Sequence, residues 1–379
     1  MVTANAIQQI LSSPGALAQD FDGSFFVLTN CKTEISLGTS LNRGKDTNFT
    51  VLSPTFFGDP SKDGQQFQYC LKFERNEFVA LLRASLSKEE GITNIFWTPA
   101  SRSEFDEDFQ AIQSAINDDL IEKAVVMTTE AAEVAPSPPQ RMRMLLNLLV
   151  NCPLHLYIYG WWDELKGVLG ATPEILFRRE GRSLLSMALA GTLPKLGLQT
   201  STPDGQTLLQ DSKELHEHQL VIDDLREKLG AFAVNHYGKT PKIRTYGPEV
   251  IELPHLFHLH TRIETTLSKW AEKDADATDI ELVHTLHPSS ALGLRSRRVS
   301  WEWLKKLNGH QNLGHFGAPF GMTLTNGFWC LVGIRNLEWN EQNSYLRAGC
   351  GIVRQSQADR EWEELRAKRE SVKALLGIS

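Results

Sequence analysis

Glu361, Glu364 and Lys368 stand at i, i+3 and i+7 of a helical pattern that follows the Gly-rich, β-prone run 346–353. Side chains at that spacing share one helix face. Two carboxylates stacked on successive turns repel each other unless a cation sits between them. A divalent, oxygen-loving ion such as magnesium is the simplest such partner. Taken alone, the run suits a solvated charged face better, since charge runs near a C-terminus usually face water. A second segment, 208–218, repeats the design with Glu214 and Glu217 three apart. Two E-x-x-E helices can supply one metal site.

Bringing two helices to one place requires other elements around them. Residues 20–80 alternate short apolar runs, such as 25–28 and 67–73, with Gly, Asp and Asn turns, a strand-and-turn pattern. Phe105, Phe109, Ile112 and Ile116 predict an amphipathic helix over 101–119, leading into a strand at 124–127. Lys123 then starts a strand, a place that suits an exposed edge charge. It can act as a base only if burial or neighbouring cations lower its pKa. Residues 154–159 read as a strand and 160–170 as a turn and return strand delivering Thr172, Pro173 and Glu174, with the proline restricting the backbone before the glutamate. Residues 188–192 read as strand and turn, where small side chains let the backbone approach a flat ligand. His258 and His260 point to one face of a strand, and with His216 or His218 could ligate zinc, although structural zinc sites usually show tighter clusters. The β-prone run 328–335 ends in Arg335, a residue suited to bidentate capture of a carboxylate. A helix is predicted over 359–376.

The chain has 379 residues, 41% hydrophobic and 22% charged, enough to bury a substantial core. Without a Pro/Ser/Gly linker it reads as one domain over 1–379, strand-rich in 1–95 and motif-bearing in 96–379. No apolar run approaches the roughly 18 residues of a membrane span, and the start shows no leader pattern, so a cytoplasmic, monomeric protein is expected. Cys31, Cys70, Cys152, Cys330 and Cys350 are scattered, as for buried thiols without disulfides. A net charge of −7 argues against nucleic acid. An anionic small molecule would have to be held by local positive groups.

From Trp97 onward the chain resembles the chorismate-utilising enzymes: isochorismate synthase, salicylate synthase, anthranilate synthase component I and aminodeoxychorismate synthase component I. The resemblance is carried by Glu122-Lys123-Ala124-Val125-Val126, Gly170-Ala171-Thr172-Pro173-Glu174, Leu189-Ala190-Gly191-Thr192 and residues 213–218. It continues through Leu286-His287-Pro288, Gly333-Ile334-Arg335, residues 348–353 and the run from Glu361 to Lys368. It implies an α+β anthranilate-synthase-like, chorismate-binding fold, with two large antiparallel sheets packed together, helices outside, and the site in the cleft between halves.

The function so implied is a magnesium-dependent isochorismate synthase. Water activated by Lys123 attacks the second ring carbon of chorismate, and Glu174 protonates the hydroxyl leaving the fourth. Ala190, Gly191, Thr192, His258, Phe316, Arg335, Gly349 and Lys368 would contact substrate, with Arg335 on the enolpyruvyl carboxylate. Glu214, Glu217, Glu361 and Glu364 would hold Mg2+, with Glu217 and Glu364 nearest the ion or its waters. Amine-using relatives commonly have glutamine where Lys123 stands, and aminodeoxychorismate synthases a nucleophilic lysine where Ala190 stands. The alternatives are a salicylate synthase, which adds pyruvate elimination, and a weakly active chorismate-binding subunit acting with a partner. The chain departs from the family pattern at Thr128 and Leu313, where many relatives have arginine, at Leu294, where glycine is usual, and at Ser289-Ser290, which replace Thr-Pro.

Overall fold

The computed structural model describes residues 3–20, 24–29, 49–62, 64–86, 95–153, 155–195, 204–267, 275–324 and 327–378. Within them the expected α+β architecture is present as two antiparallel sheets, with strands numbered β1–β17 and helices α1–α7 along the chain. The first sheet has nine strands. In spatial order they are β13 (Leu294–Arg295), β6 (Lys123–Ala132), β17 (Ser344–Ile352), β16 (Asn336–Trp339), β8 (Gly167–Thr172), β7 (Tyr157–Trp162), β1 (Gly15–Gln19), β2 (Phe25–Thr29) and β5 (Tyr69–Phe73). The second has eight: β11 (Arg244–Glu252), β12 (Leu256–Thr266), β10 (Ser183–Pro194), β9 (Ile175–Glu180), β15 (Gly327–Val332), β14 (Pro319–Leu324), β3 (Phe49–Leu52) and β4 (Gly64–Phe67). The helices are α1 (Ala4–Ser12), α2 (Arg75–Ser85), α3 (Arg102–Asn117), α4 (Pro138–Asn151), α5 (Ser212–Tyr237), α6 (Ala275–Leu286) and α7 (Ala358–Leu376).

Strand alternation assigns each apolar side chain to a layer. Ala16 and Ala18 of β1, Tyr159 and Trp161 of β7, and Val168 of β8 meet Ile175, Phe320, Met322, Trp329 and Leu331 of the second sheet. On the opposite face of the same strands, Leu17, Ile158, Trp162 and Leu169 pack under α1, α2, α4 and α7. Both faces of β7 are covered, which is why its sequence is apolar throughout and not alternating.

The predicted helix at 101–119 is α3, started by Ser101, whose hydroxyl accepts the Glu104 N–H at 3.3 Å. The predicted late helix is α7, and the strand expected at 124–127 is the first half of β6. Three expectations need correction. The N-terminal part is not only strand and turn: α1 is capped by Thr3 and buries Ile7, Ile10 and Leu11, and α2 starts at Arg75. Residues 188–192 do not turn. They belong to β10, which carries a bulge with Gly191 at φ +82° and a register shift between Ala190 and Thr192. The strand expected from 154 starts at Tyr157, and residue 154 lies outside the described residues, as does Cys31. Cys70, Cys152, Cys330 and Cys350 are buried, unpaired thiols. No described helix is long and apolar enough to cross a membrane.

Candidate active site

A pocket open to solvent lies where β10, β12, β17, α5 and α7 come together. Its wall includes Glu174 from the β8–β9 turn, Ala190, Gly191 and Thr192 from the β10 bulge, His258, Phe316, Arg335, Gly349, Glu217, Glu364 and Lys368. Of the residues proposed from sequence, Lys123, Glu214 and Glu361 do not line it. They stand behind those that do.

Lys123 is 0% exposed. It is not an edge charge, because β13 covers that edge of β6 with Arg295 opposite Lys123. Its ammonium donates to the Ser290 carbonyl at 2.5 Å and lies 3.5 Å from Glu217 Oε1. The Ser290 N–H in turn donates to Asp224 at 2.8 Å. Gly351 lines the pocket beside Lys123, and a methyl group there would overlap both Glu217 Oε1 and Lys123 Cε. Burial lowers the Lys123 pKa, with Glu217 pulling the other way. Burial pushes Glu174 up to about 8, against the opposing pull of Lys123, Lys368 and Arg335. A carboxyl and an amine displaced toward one another in this way are typical of acid–base sites.

Arg335 has φ +57°, uncommon for a residue with a side chain, at the crossover from β15 in one sheet to β16 in the other. Its Nη1 donates to Ser371 Oγ at 2.7 Å and its Nη2 lies 3.0 Å from His258 Nε2. Arginine can only donate, so His258 Nε2 accepts and its proton resides on Nδ1, which reaches Thr192 Oγ1 at 3.0 Å. Burial, then Arg335 and Lys368, keep this imidazole neutral. His218 bridges the Ala190 carbonyl and Thr261 Oγ1, and His260 pairs with Glu249. The histidines of the zinc reading therefore have separate partners and, among the described residues, form no shared centre.

The four glutamates converge on ammonium groups. Lys213 Nζ is 2.9 Å from Glu361, 3.0 Å from Glu214 and 3.5 Å from Glu217. Glu364 pairs with Lys368 at 2.6 Å, and that lysine also donates to the Gly349 carbonyl at 2.7 Å. Asp211 caps α5, accepting the backbone N–H of Lys213 and of Glu214, and Glu214 Oε2 accepts the Thr192 N–H at 3.0 Å. Burial raises the Glu214 and Glu361 pKa values, whereas Lys213, Lys123 and Lys368 overcome burial to hold Glu217 low. Among the described residues no three acidic, histidine or cysteine side chains already form a metal cage. An ammonium stands between them instead. A buried, oxygen-only donor set that gathers around a cation fits magnesium in its chemistry.

Lys213 and Arg347 escaped the sequence reading. Lys213 was signalled by its i, i+4 relation to Glu217, and Arg347 by its alternation with Gly349 and Gly351 on one face of β17. The departures Thr128, Leu294 and Leu313 lie outside the pocket wall. The Thr128 hydroxyl accepts from Arg369 of α7, so a guanidinium reaches position 128 from a different element.

Residues 42–377 match the family described as chorismate binding enzyme. The chain belongs to that family. Relatives include the vibriobactin-specific isochorismate synthase of Vibrio cholerae, 30% identical over 67% of this chain and 62% of that protein. The salicylate biosynthesis isochorismate synthase of Pseudomonas aeruginosa is 33% identical over 55% of this chain and 43% of its own length. The matched region thus spans less than two thirds of these curated relatives. Two solved structures share the fold. The menaquinone-specific isochorismate synthase MenF of Escherichia coli aligns with TM-score 0.71 at 20% identity, over 98% of this chain and 91% of that one. Anthranilate synthase component I of Streptococcus pneumoniae aligns with TM-score 0.63 at 15% identity, over 94% and 89%.

Proposed function

We propose that this chain is a magnesium-dependent isochorismate synthase. The observation that carries the reading is the pair Lys123 and Glu174, both buried, the amine shifted down and the carboxyl shifted up to about 8. In the reaction an oxygen–carbon bond forms at the second ring carbon as the carbon–oxygen bond at the fourth breaks, and both ring double bonds shift by one position along the conjugated path that joins the two carbons. Lys123 takes the proton of the attacking water, and Glu174 gives its own to the departing hydroxyl, which leaves as water. The net change is an isomerisation. Arg335 and Lys368 supply positive charge for the carboxylates of chorismate, and the neutral His258 fixes Arg335 and Thr192 in place. Glu217 and Glu364 at the wall, with Glu214 and Glu361 behind them, would hold magnesium. When bound, the ion would supply positive charge for the ring carboxylate.

The names of the relatives support this reading, as do Lys123 in place of glutamine and Ala190 in place of lysine. The weak-subunit alternative rested on Thr128 and Leu313, neither of which is in the pocket wall. Incubation with chorismate and magnesium in heavy-oxygen water, followed by chromatography and mass analysis, tests it. Isochorismate carrying the heavy oxygen is expected. Salicylate with pyruvate would assign a salicylate synthase, and unconverted chorismate would overturn the reading.

A further inference from the structure

Lys213 is a buried cation with no role in the proposed reaction, yet it stands at the meeting point of glutamates from two helices. We propose that Lys213 is a resident counterion that occupies the divalent-cation position, and that metal enters by exchange with its ammonium. This rests on the metal-site reading above. An ammonium 2.9 to 3.5 Å from Glu361, Glu214 and Glu217 fills the space in which those oxygens would meet a divalent ion. Both cations cannot share it, since like charges at contact distance in a buried site repel strongly.

The neighbouring lysines are poorly placed to leave. Lys123 has no exposure and donates to the Ser290 carbonyl, and Lys368 is held by both Glu364 and the Gly349 carbonyl. The Lys213 side chain is 15% exposed and sits in the first turn of α5, where Asp211 fixes its backbone N–H and leaves the stem to rotate. A flexible four-carbon stem carrying a strongly hydrated ammonium can exchange carboxylates for water. The ammonium remains charged throughout. Its departure lets a divalent charge replace a single one among the three carboxylates it meets, and its presence weakens metal binding while holding the metal-free site together.

The test uses Mn2+ as a spectroscopically visible probe, titrated into the full-length wild type, Lys213→Met and Lys213→Arg, with Mg2+ as competitor. Lys213→Met is expected to bind Mn2+ roughly tenfold more tightly, a change of about 1.4 kcal/mol. Lys213→Arg is expected to keep wild-type affinity. In the wild type, reductive methylation of Lys213, followed by peptide mass analysis, should speed up several-fold when Mg2+ saturates the site. If the wild type binds Mn2+ but Lys213→Met binds it equally or more weakly, the exchange is overturned and the metal site stands. If the wild type binds no divalent ion, the metal reading itself fails and the exchange falls with it. Should Lys213→Met not fold, the labelling decides, and an unchanged rate at saturating Mg2+ overturns the proposal.

Discussion

Toward the end of β6, Glu130 is met by Arg369 Nε at 2.8 Å and Lys373 Nζ at 2.9 Å, both from α7, and Arg369 also donates to Thr128. At the start of the same strand, and along the same helix, Lys123 and Lys368 join Lys213 to serve four glutamates. Both clusters are buried. In the first, Glu130 has two cations at close range, one of which, Lys373, also pairs with the exposed Glu370 at 2.8 Å. In the second, three ammonium groups are shared among four carboxylates, two of which burial holds above their usual pKa. A saturated ion network ties an element down. An under-supplied one is where the proposed magnesium would add its charge.

Substitutions at the two ends should therefore fail differently. The largest effect is expected for Lys123→Gln, which should lower turnover by about two to four orders of magnitude, the usual size of a lost general base. Its melting temperature should stay near that of the wild type, because the glutamine amide can still donate toward the Ser290 carbonyl. Turnover of Lys123→Gln near the wild-type rate would remove the base from the proposed mechanism. At the other end, Glu130→Gln strands Arg369, which is 2% exposed, and should cost about 3 kcal/mol or more of stability in urea unfolding. The folded fraction should keep its turnover to within a few fold. A variant that lost turnover at unchanged stability would show that this end, too, serves the chemistry.

A smaller effect is expected for Gly351→Ala. Its methyl group would overlap Glu217 Oε1 and Lys123 Cε, so both must shift and turnover should fall about tenfold to a hundredfold. Unchanged turnover would mean that the Lys123–Glu217 spacing does not matter to the rate.

The contrast between the two ends was only partly legible in the sequence. Spacing alone brought Glu361, Glu364 and Lys368 to one face of α7, and Glu214 and Glu217 to one face of α5, because helical periodicity is local. That α5 and α7 face each other came from the family resemblance, since no local pattern encodes which helices meet. The role of Arg369 was hidden for the same reason: it lies one residue after Lys368, and only the packing of α7 on β6 shows that the two serve different clusters. Lys123 read as an exposed edge charge because its cover, β13, is a strand of two residues, too short to leave a pattern. The bulge in β10 read as a turn because Gly191 signals a positive φ without saying whether the chain reverses or continues.

The last effect concerns pH. Glu174 has its carboxyl raised from about 4.5 to about 8 by burial, with Lys123, Lys368 and Arg335 opposing. Between those values the folded chain holds a proton that the unfolded chain has released. Stability must therefore fall as pH rises across the window, level off above about 8, and show no penalty below about 4.5. Glu174→Gln cannot ionise and lacks this fall. Glu214 and Glu361 are raised too, but they remain in both proteins and cancel in the difference. Melts of wild type and Glu174→Gln in EDTA should accordingly converge at acid pH and diverge toward pH 8, with the wild type losing ground. Turnover of the wild type should decline above about pH 8, since the acid must carry its proton to release the hydroxyl. A difference between the two melting curves that stays flat across the window would mean that Glu174 is ionised in the folded protein. It would then belong with Glu130 as a structural anion, and the acid of the reaction would have to be sought elsewhere in the pocket.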